Sequence, residues 1–172
     1  MKRTFCLLLI AILLPMFAAC GNTGSQQSSN TLLFYYCADP MDYNSESGVI
    51  APEERIYQGQ ENALEELLNL YLAGPLEKGY RSPFPDGLYA ESVTRIDNRV
   101  QIKLSSIYSE LQGLDLTLAS VCLSKTVQQI AQVDYVYIHY EDSTTGKRNS
   151  IYIGPDSYIL SDSIPESINT ED

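Results

Sequence analysis

Two hydrophobic periods alternate along this chain, and their order limits the folds open to it. From Val133 to Glu141 and from Asn149 to Gly154, apolar and polar-faced positions alternate: Val136, Ile138 and Tyr140 against Tyr135, Tyr137 and His139, then Ile151 and Ile153 against Tyr152. A period of two is the mark of a strand with one buried and one wet face. The intervening DSTTG turns the pair into a hairpin. Leu88 to Ile96 and Arg99 to Leu104 repeat the arrangement around Asp97-Asn98, two residues that tolerate the left-handed backbone of a tight turn. In the second of these strands Val100, Ile102 and Leu104 face one way, and Arg99, Gln101 and Lys103 the other. Elsewhere the period becomes helical, about 3.6 residues. Ala63, Leu64, Leu67, Leu68, Tyr71 and Leu72 against Glu61, Glu65, Glu66 and Asn69 predict a helix beginning near Gln60. Leu116, Ala119, Leu123, Val127 and Ile130, with Leu118, Val121 and Cys122 widening the stripe, predict a second from Leu114 to Ile130. An aromatic strand, Leu32 to Ala38, precedes them all, followed by a polar loop from Met41 to Pro52 and a short extended EERIYQ. Strand, helix, hairpin, helix, hairpin predicts an α+β single domain, a mostly antiparallel sheet with two helices packed on one face.

The first helix ends in NLYLAGPLEKGYRSPFPDG, Asn69 to Gly87, where every breaker has a backbone role. Gly74 admits a positive φ past the last helical turn, and Pro75 prevents continuation. Pro83, Pro85 and Gly87 stiffen the return to the hairpin, so the stretch is in the main a corner. Tyr80, Arg81 and Phe84 are its candidates for a partner-binding loop, because loops carry function disproportionately.

The beginning of the chain reads differently. Lys2 and Arg3 precede an apolar run from Leu7 to Leu14, too short for a lasting membrane span and placed as in a secretory signal. Its end, Phe17-Ala18-Ala19-Cys20, resembles the lipobox of bacterial lipoproteins, with Phe17 where leucine is usual. Residues 1–19 are therefore expected to be a lipoprotein signal peptide and Cys20 the lipidated residue, anchored by fatty acyl chains such as palmitate at the outer face of the cytoplasmic membrane. Several chains on one cysteine exceed what stable attachment requires. GNTGSQQSSN, with no apolar residue, is a flexible tether that completes the segment 20–30 and reaches about 35 Å extended or about 17 Å as a coil. The folded domain is expected over 31–160 and a polar tail over 161–172.

Removing nineteen residues takes two of the eleven cations and leaves nine against twenty-two acidic groups, a net charge of −13. Nucleic acid needs clustered cations that displace counterions, and here they are scattered singly. An anionic leaflet also repels such a domain, so membrane association is expected to rest on the lipid. Of four cysteines, Cys6 leaves with the signal and Cys20 carries lipid. Cys37 and Cys122 remain, both among apolar neighbours, and are read as small buried hydrophobes, with one bridge as the alternative.

Catalysis needs a nucleophile, an acid–base pair or a metal held by neighbouring groups, and neither CxxC, HExxH, GxSxG nor a Gly-rich phosphate loop occurs. His139, the single histidine, falls on a wet strand face and reads as a surface aromatic rather than a base. Asp39, Asp42 and Glu46 lack the order of oxygen ligands and glycine that calcium requires, and read as a solvated acidic loop. No catalytic residue, metal or cofactor is assigned. Thirteen tyrosines and no tryptophan single out Tyr135, Tyr137 and Tyr152 beside His139 on the outer face of the last hairpin. Such rings give large contact area at modest entropic cost. Cross-strand pairing that stiffens an exposed sheet accounts for them equally, and stacking on wall glycan is a third reading.

Taken together, the early aromatic strand, LLNLYLAGP at Leu67 to Pro75, PDG before a hairpin running into VQIKLSS, a helix near Thr126 and VDYVYIHYED resemble the GerMN domain, the sporulation and germination domain of Gram-positive lipoproteins. The resemblance runs from about Thr31 to about Gly154. Thr126-Val127 stands where the family often has Thr-Leu, and Glu141-Asp142 where a glycine follows the late strand. The resemblance implies a module akin to the ring-building domains of secretion systems, working in an envelope assembly, and with no catalytic group assigned the expected role is non-catalytic. Envelope proteins are the partners it implies, with self-association left open. Binding of peptidoglycan or another wall ligand is the alternative.

Overall fold

The computed structural model describes residues 30–41, 48–57, 64–155 and 157. The expected signal peptide, Cys20, the tether up to residue 29, Asp42, Glu46 and the polar tail lie outside the described residues, while Asn30, expected to end the tether, begins the first strand by pairing with Tyr57.

Among the described residues, seven strands and two helices follow in the order β1 (Asn30–Ala38), β2 (Ile50–Tyr57), α1 (Leu64–Leu72), β3 (Tyr80–Arg81), β4 (Ala90–Ile96), β5 (Arg99–Leu104), α2 (Gly113–Ala131), β6 (Tyr135–Glu141) and β7 (Arg148–Ile153), with a 3-10 turn at Ser106–Glu110 before α2. The α+β class and both helices agree with the sequence pattern. The strands, expected in one sheet, divide into two: β2-β1-β3, antiparallel throughout, and β4-β5-β6-β7, in which β5 and β6 run parallel. The parallel pairing follows from α2, which returns the chain from the end of β5 to the start of β6 and so pairs two strands in the same direction. The segment from 50 to 52, expected as loop, belongs to β2. Pro52 is accommodated there because β2 is an edge strand.

The edge of β1 opposite β2 pairs with β3 only at Cys37 and Ala38. Further back, α2 supplies what a neighbouring strand would. The Leu33 N–H donates to Gln129 Oε1 at 3.1 Å and the Tyr35 N–H to Thr126 Oγ1 at 2.9 Å. Buried backbone donors are thus satisfied by side chains where the ladder stops.

Both sheets and both helices share one apolar core. Phe34 and Tyr36 of β1, Leu68 and Tyr71 of α1, Leu123 and Val127 of α2, and the inward faces of β5 and β6, Val100, Ile102, Val136 and Ile138, all belong to it. Its centre is aromatic: Tyr71 packs on Phe34 at 5.4 Å, Tyr36 at 5.0 Å and Phe84 at 5.2 Å between ring centroids. The two tyrosines satisfy their hydroxyls reciprocally, Tyr36 donating to the Tyr71 carbonyl and Tyr71 to the Tyr35 carbonyl, each at 2.7 Å. Burial pushes both phenols well above their ordinary pKa, so they remain neutral donors.

Candidate interaction surface

The outward face of the four-stranded sheet follows from register. Gln101 of β5 lies beside Tyr137 of β6, and Tyr137 beside Tyr152 of β7; one step along, Lys103, His139 and Ser150 form the next row. The opposite faces of these strands are filled by the core, so these rows look away from it. Tyr135, Tyr137, His139 and Tyr152, four of the residues singled out from sequence, are therefore brought together. Tyr152 stacks on Tyr135 at 5.8 Å with 14° between planes, meets Tyr137 at 4.8 Å, and Tyr137 in turn stacks on His139 at 6.4 Å. Tyr152 retains 51% of its surface and Tyr135 36%. Gly154 makes room for this: a Cβ there would stand 3.0 Å from the Tyr135 ring.

Polar groups continue the stripe. His139 Nδ1 and Ser150 Oγ share a hydrogen bond of 2.8 Å that fixes the imidazole beside Tyr137. Lys103 pairs with Glu91 at 2.6 Å, which raises its pKa, and Arg148 with Glu141 at 3.5 Å. Lys103, His139, Glu141, Arg148 and Ser150 line a cleft of about 420 Å³ at this end of the sheet. The face thus offers ring edges, hydroxyls and paired charges. No cluster of three or more metal-ligating His, Cys, Asp or Glu side chains occurs among the described residues, nor does any described helix have the length and apolarity to cross a membrane.

Tyr80, Arg81 and Phe84 do not join this face. Tyr80 and Arg81 form β3, the short edge of the other sheet, where Tyr80 donates to the Pro52 carbonyl at 2.8 Å and Arg81 to Met41 Sδ at 3.5 Å. Phe84 corrects the sequence expectation. It is buried edge-on against Tyr71, because the turns around Pro83 and Pro85 direct the ring inward to fill the aromatic core. The corner role of the stretch is visible in Gly74 and Gly87, with φ of +102° and +78°.

Sequence reasoning missed what holds that corner. Glu53 and Arg55 lie two apart on β2, hence on one face, and form an ion pair of 2.5 Å with Glu53 only 1% exposed. Glu53 accepts from the Leu76 N–H at 3.1 Å. The Arg55 guanidinium donates to the Gly74 carbonyl at 2.7 Å and sits 4.7 Å over the Phe34 ring. The end of α1 and the Gly74-Pro75 turn are thereby fastened to β2. The available signal was the alternation of Glu53 and Arg55 opposite an aromatic strand, which a tally of charges hides.

No curated protein matches the chain. A family described as "Germane: Sporulation and spore germination" matches residues 33–145. The chain belongs to the Germane family. Among solved structures it is similar to the first GerMN domain of the sporulation protein GerM from Bacillus subtilis, at 16% identity and a TM-score of 0.55, over 74% of this chain and 98% of that one. It is also similar to the tandem GerMN domains of the same protein, at 17% identity and a TM-score of 0.51, over 73% of this chain and 46% of that one. At such identities the likeness establishes the GerMN fold, and the Germane match places the chain in a family linked to sporulation and spore germination.

Proposed function

We propose that this Germane protein is a lipoprotein anchored through Cys20 at the outer face of the cytoplasmic membrane, whose GerMN-type domain is a non-catalytic protein-interaction module in the cell envelope. The observation that carries the reading is the outward stripe of Tyr135, Tyr137, His139 and Tyr152 on the four-stranded sheet. Aromatic rings with accessible hydroxyls are favoured at recognition surfaces because they bury area while losing few torsions. The alternative, stacking on wall glycan, needs ring faces turned to solvent. Here Tyr135 and Tyr152 turn their faces toward one another at an interplanar angle of 14°, which favours a protein partner reached through edges and hydroxyls.

The test places a photo-crosslinking amino acid at Tyr152 in living cells and pairs it with binding of the purified domain to isolated peptidoglycan. The expected outcome is crosslinks to defined envelope proteins that are lost in Tyr137→Ser/Tyr135→Ser, with the melting temperature lowered by no more than a few degrees and no retention on peptidoglycan. Retention on peptidoglycan without protein crosslinks would overturn the reading.

A further inference from the structure

Away from the aromatic face, α2 and β1 meet in a regular series. Leu33 meets Gln129 and Tyr35 meets Thr126. The strand advances two residues and the helix three to four at each step, so the next pair in the antiparallel series is Cys37 against Cys122. The two side chains are fully buried and pack together with Leu118 in one small cluster, against which Met41, Val49 and Ile50 lie. Cys37 and Cys122 are both free.

The pair is asymmetric. Cys37 sits mid-sheet, between Ile50 of β2 and Arg81 of β3. It contributes to the wall of a surface cleft of about 200 Å³ together with Arg81, Phe84, Asp115 and Leu118. Beside it at the sheet edge is β3, only two residues long, the kind of element that opens locally at little cost. Cys122 lies behind, on the helix. The charge of Arg81 favours the thiolate of Cys37, while burial holds the Cys122 thiol above its ordinary pKa.

We propose that Cys37 and Cys122 are a thiol–disulfide exchange pair, with Cys37 the residue that meets an external disulfide through the cleft and Cys122 the residue that resolves it. The Cys37 thiolate attacks one sulfur of a donor disulfide and expels the other as a thiolate, leaving a mixed disulfide. Cys122 then releases its proton to solvent, attacks the Cys37 sulfur and expels the second donor thiolate. The two cysteines lose two protons and two electrons, and the donor disulfide takes them up as two thiols. The product ties the central strand of one sheet to α2 and closes a loop that includes α1, β3, β4 and β5, a cross-link of the length expected to stabilise against unfolding.

The test uses the full chain carrying Cys6→Ser and Cys20→Ser, folded and incubated with oxidised glutathione, followed by intact mass and alkylation in denaturant. The expected result is loss of two hydrogens, no remaining alkylable thiol, and a melting temperature above that of the dithiothreitol-treated protein. In Cys122→Ser the expected product is a single glutathione on Cys37, reversed by dithiothreitol; in Cys37→Ser, Cys122 stays unmodified while the chain is folded. Two thiols still free, or one glutathione on each, would overturn the proposal. The mass reading on the chain with both cysteines decides the matter even if a single variant fails to fold.

Discussion

Glu53 carries a disproportionate share of the corner between α1 and β3. Its carboxylate is enclosed, pairs with Arg55 and accepts the Leu76 N–H, so removing it strands a guanidinium with only 14% side-chain exposure and a backbone donor at once. Losing one member of a buried pair costs about 3–5 kcal/mol, far more than the pair contributes against an apolar replacement. Glu53→Ala is therefore expected to lower the urea unfolding free energy by about that amount. Glu53→Gln, which keeps an acceptor for Leu76, is expected to lose distinctly less. An alanine variant within about 1 kcal/mol of the parent would show the pair to be dispensable. Nothing in the run of residues around Glu53 announces this, because Glu54 beside it is exposed and the two differ only in which face of β2 they occupy. Burial of a charge depends on what lies across the sheet, and the partners at Phe34, Gly74 and Leu76 come from segments that only the assembled fold brings near.

The same distinction between local and distant signals separates the elements. The turn between β6 and β7 is local: Asp142 accepts from the Thr145 and Thr144 N–H groups at 2.7 and 3.0 Å, and its own N–H and carbonyl close onto Lys147 and Gly146. Those donors, Thr145 foremost, hold its carboxyl below the usual range. A folded-state pKa below the unfolded one means that the contribution is complete above about 4, the unfolded value, and disappears as pH falls through the folded value. The Thr144 and Thr145 amide resonances are expected to titrate with a midpoint below that of an unstructured aspartate, a transition absent in Asp142→Asn. A midpoint at or above the ordinary value would refute it. Both hairpins and both helices were legible because alternation or helical period is written into consecutive residues: Val100, Ile102 and Leu104 in one case, Leu67, Leu68 and Tyr71 in the other. The parallel pairing of β5 with β6 was not, since its register, Gln101 beside Tyr137, is set across all of α2. Nor was β3, whose two residues are strand only because Cys37 and Ala38 lie beside them. Of the candidate surface, Tyr135, Tyr137, His139 and Tyr152 could be assembled from hairpin alternation alone, whereas the inward turn of Phe84 depended on the ring of Tyr71, a residue of α1 against which it packs.

At the scale of the whole molecule, the physics of attachment is separate from the physics of recognition. In the proposed lipoprotein, without residues 1–19, the chain would carry nine cations against twenty-two acidic groups, so a leaflet of anionic lipid repels it. Attachment in the proposed setting must then come from burial of acyl carbons, about 0.8 kcal/mol for each methylene, a hydrophobic energy that salt strengthens rather than screens. A peripheral protein held by charge behaves oppositely, leaving the membrane as the Debye length shortens. Molar salt washing of cell membranes is therefore expected to leave this protein in the pellet, and Cys20→Ala to move it to the soluble or secreted fraction, with the melting temperature of the domain unchanged because ten polar residues separate Cys20 from Thr31. Release of the parent protein by salt, or retention of Cys20→Ala in the washed membrane, would place the attachment in the folded domain, and the aromatic face of β6 and β7 would then have to be reconsidered as a membrane-facing surface.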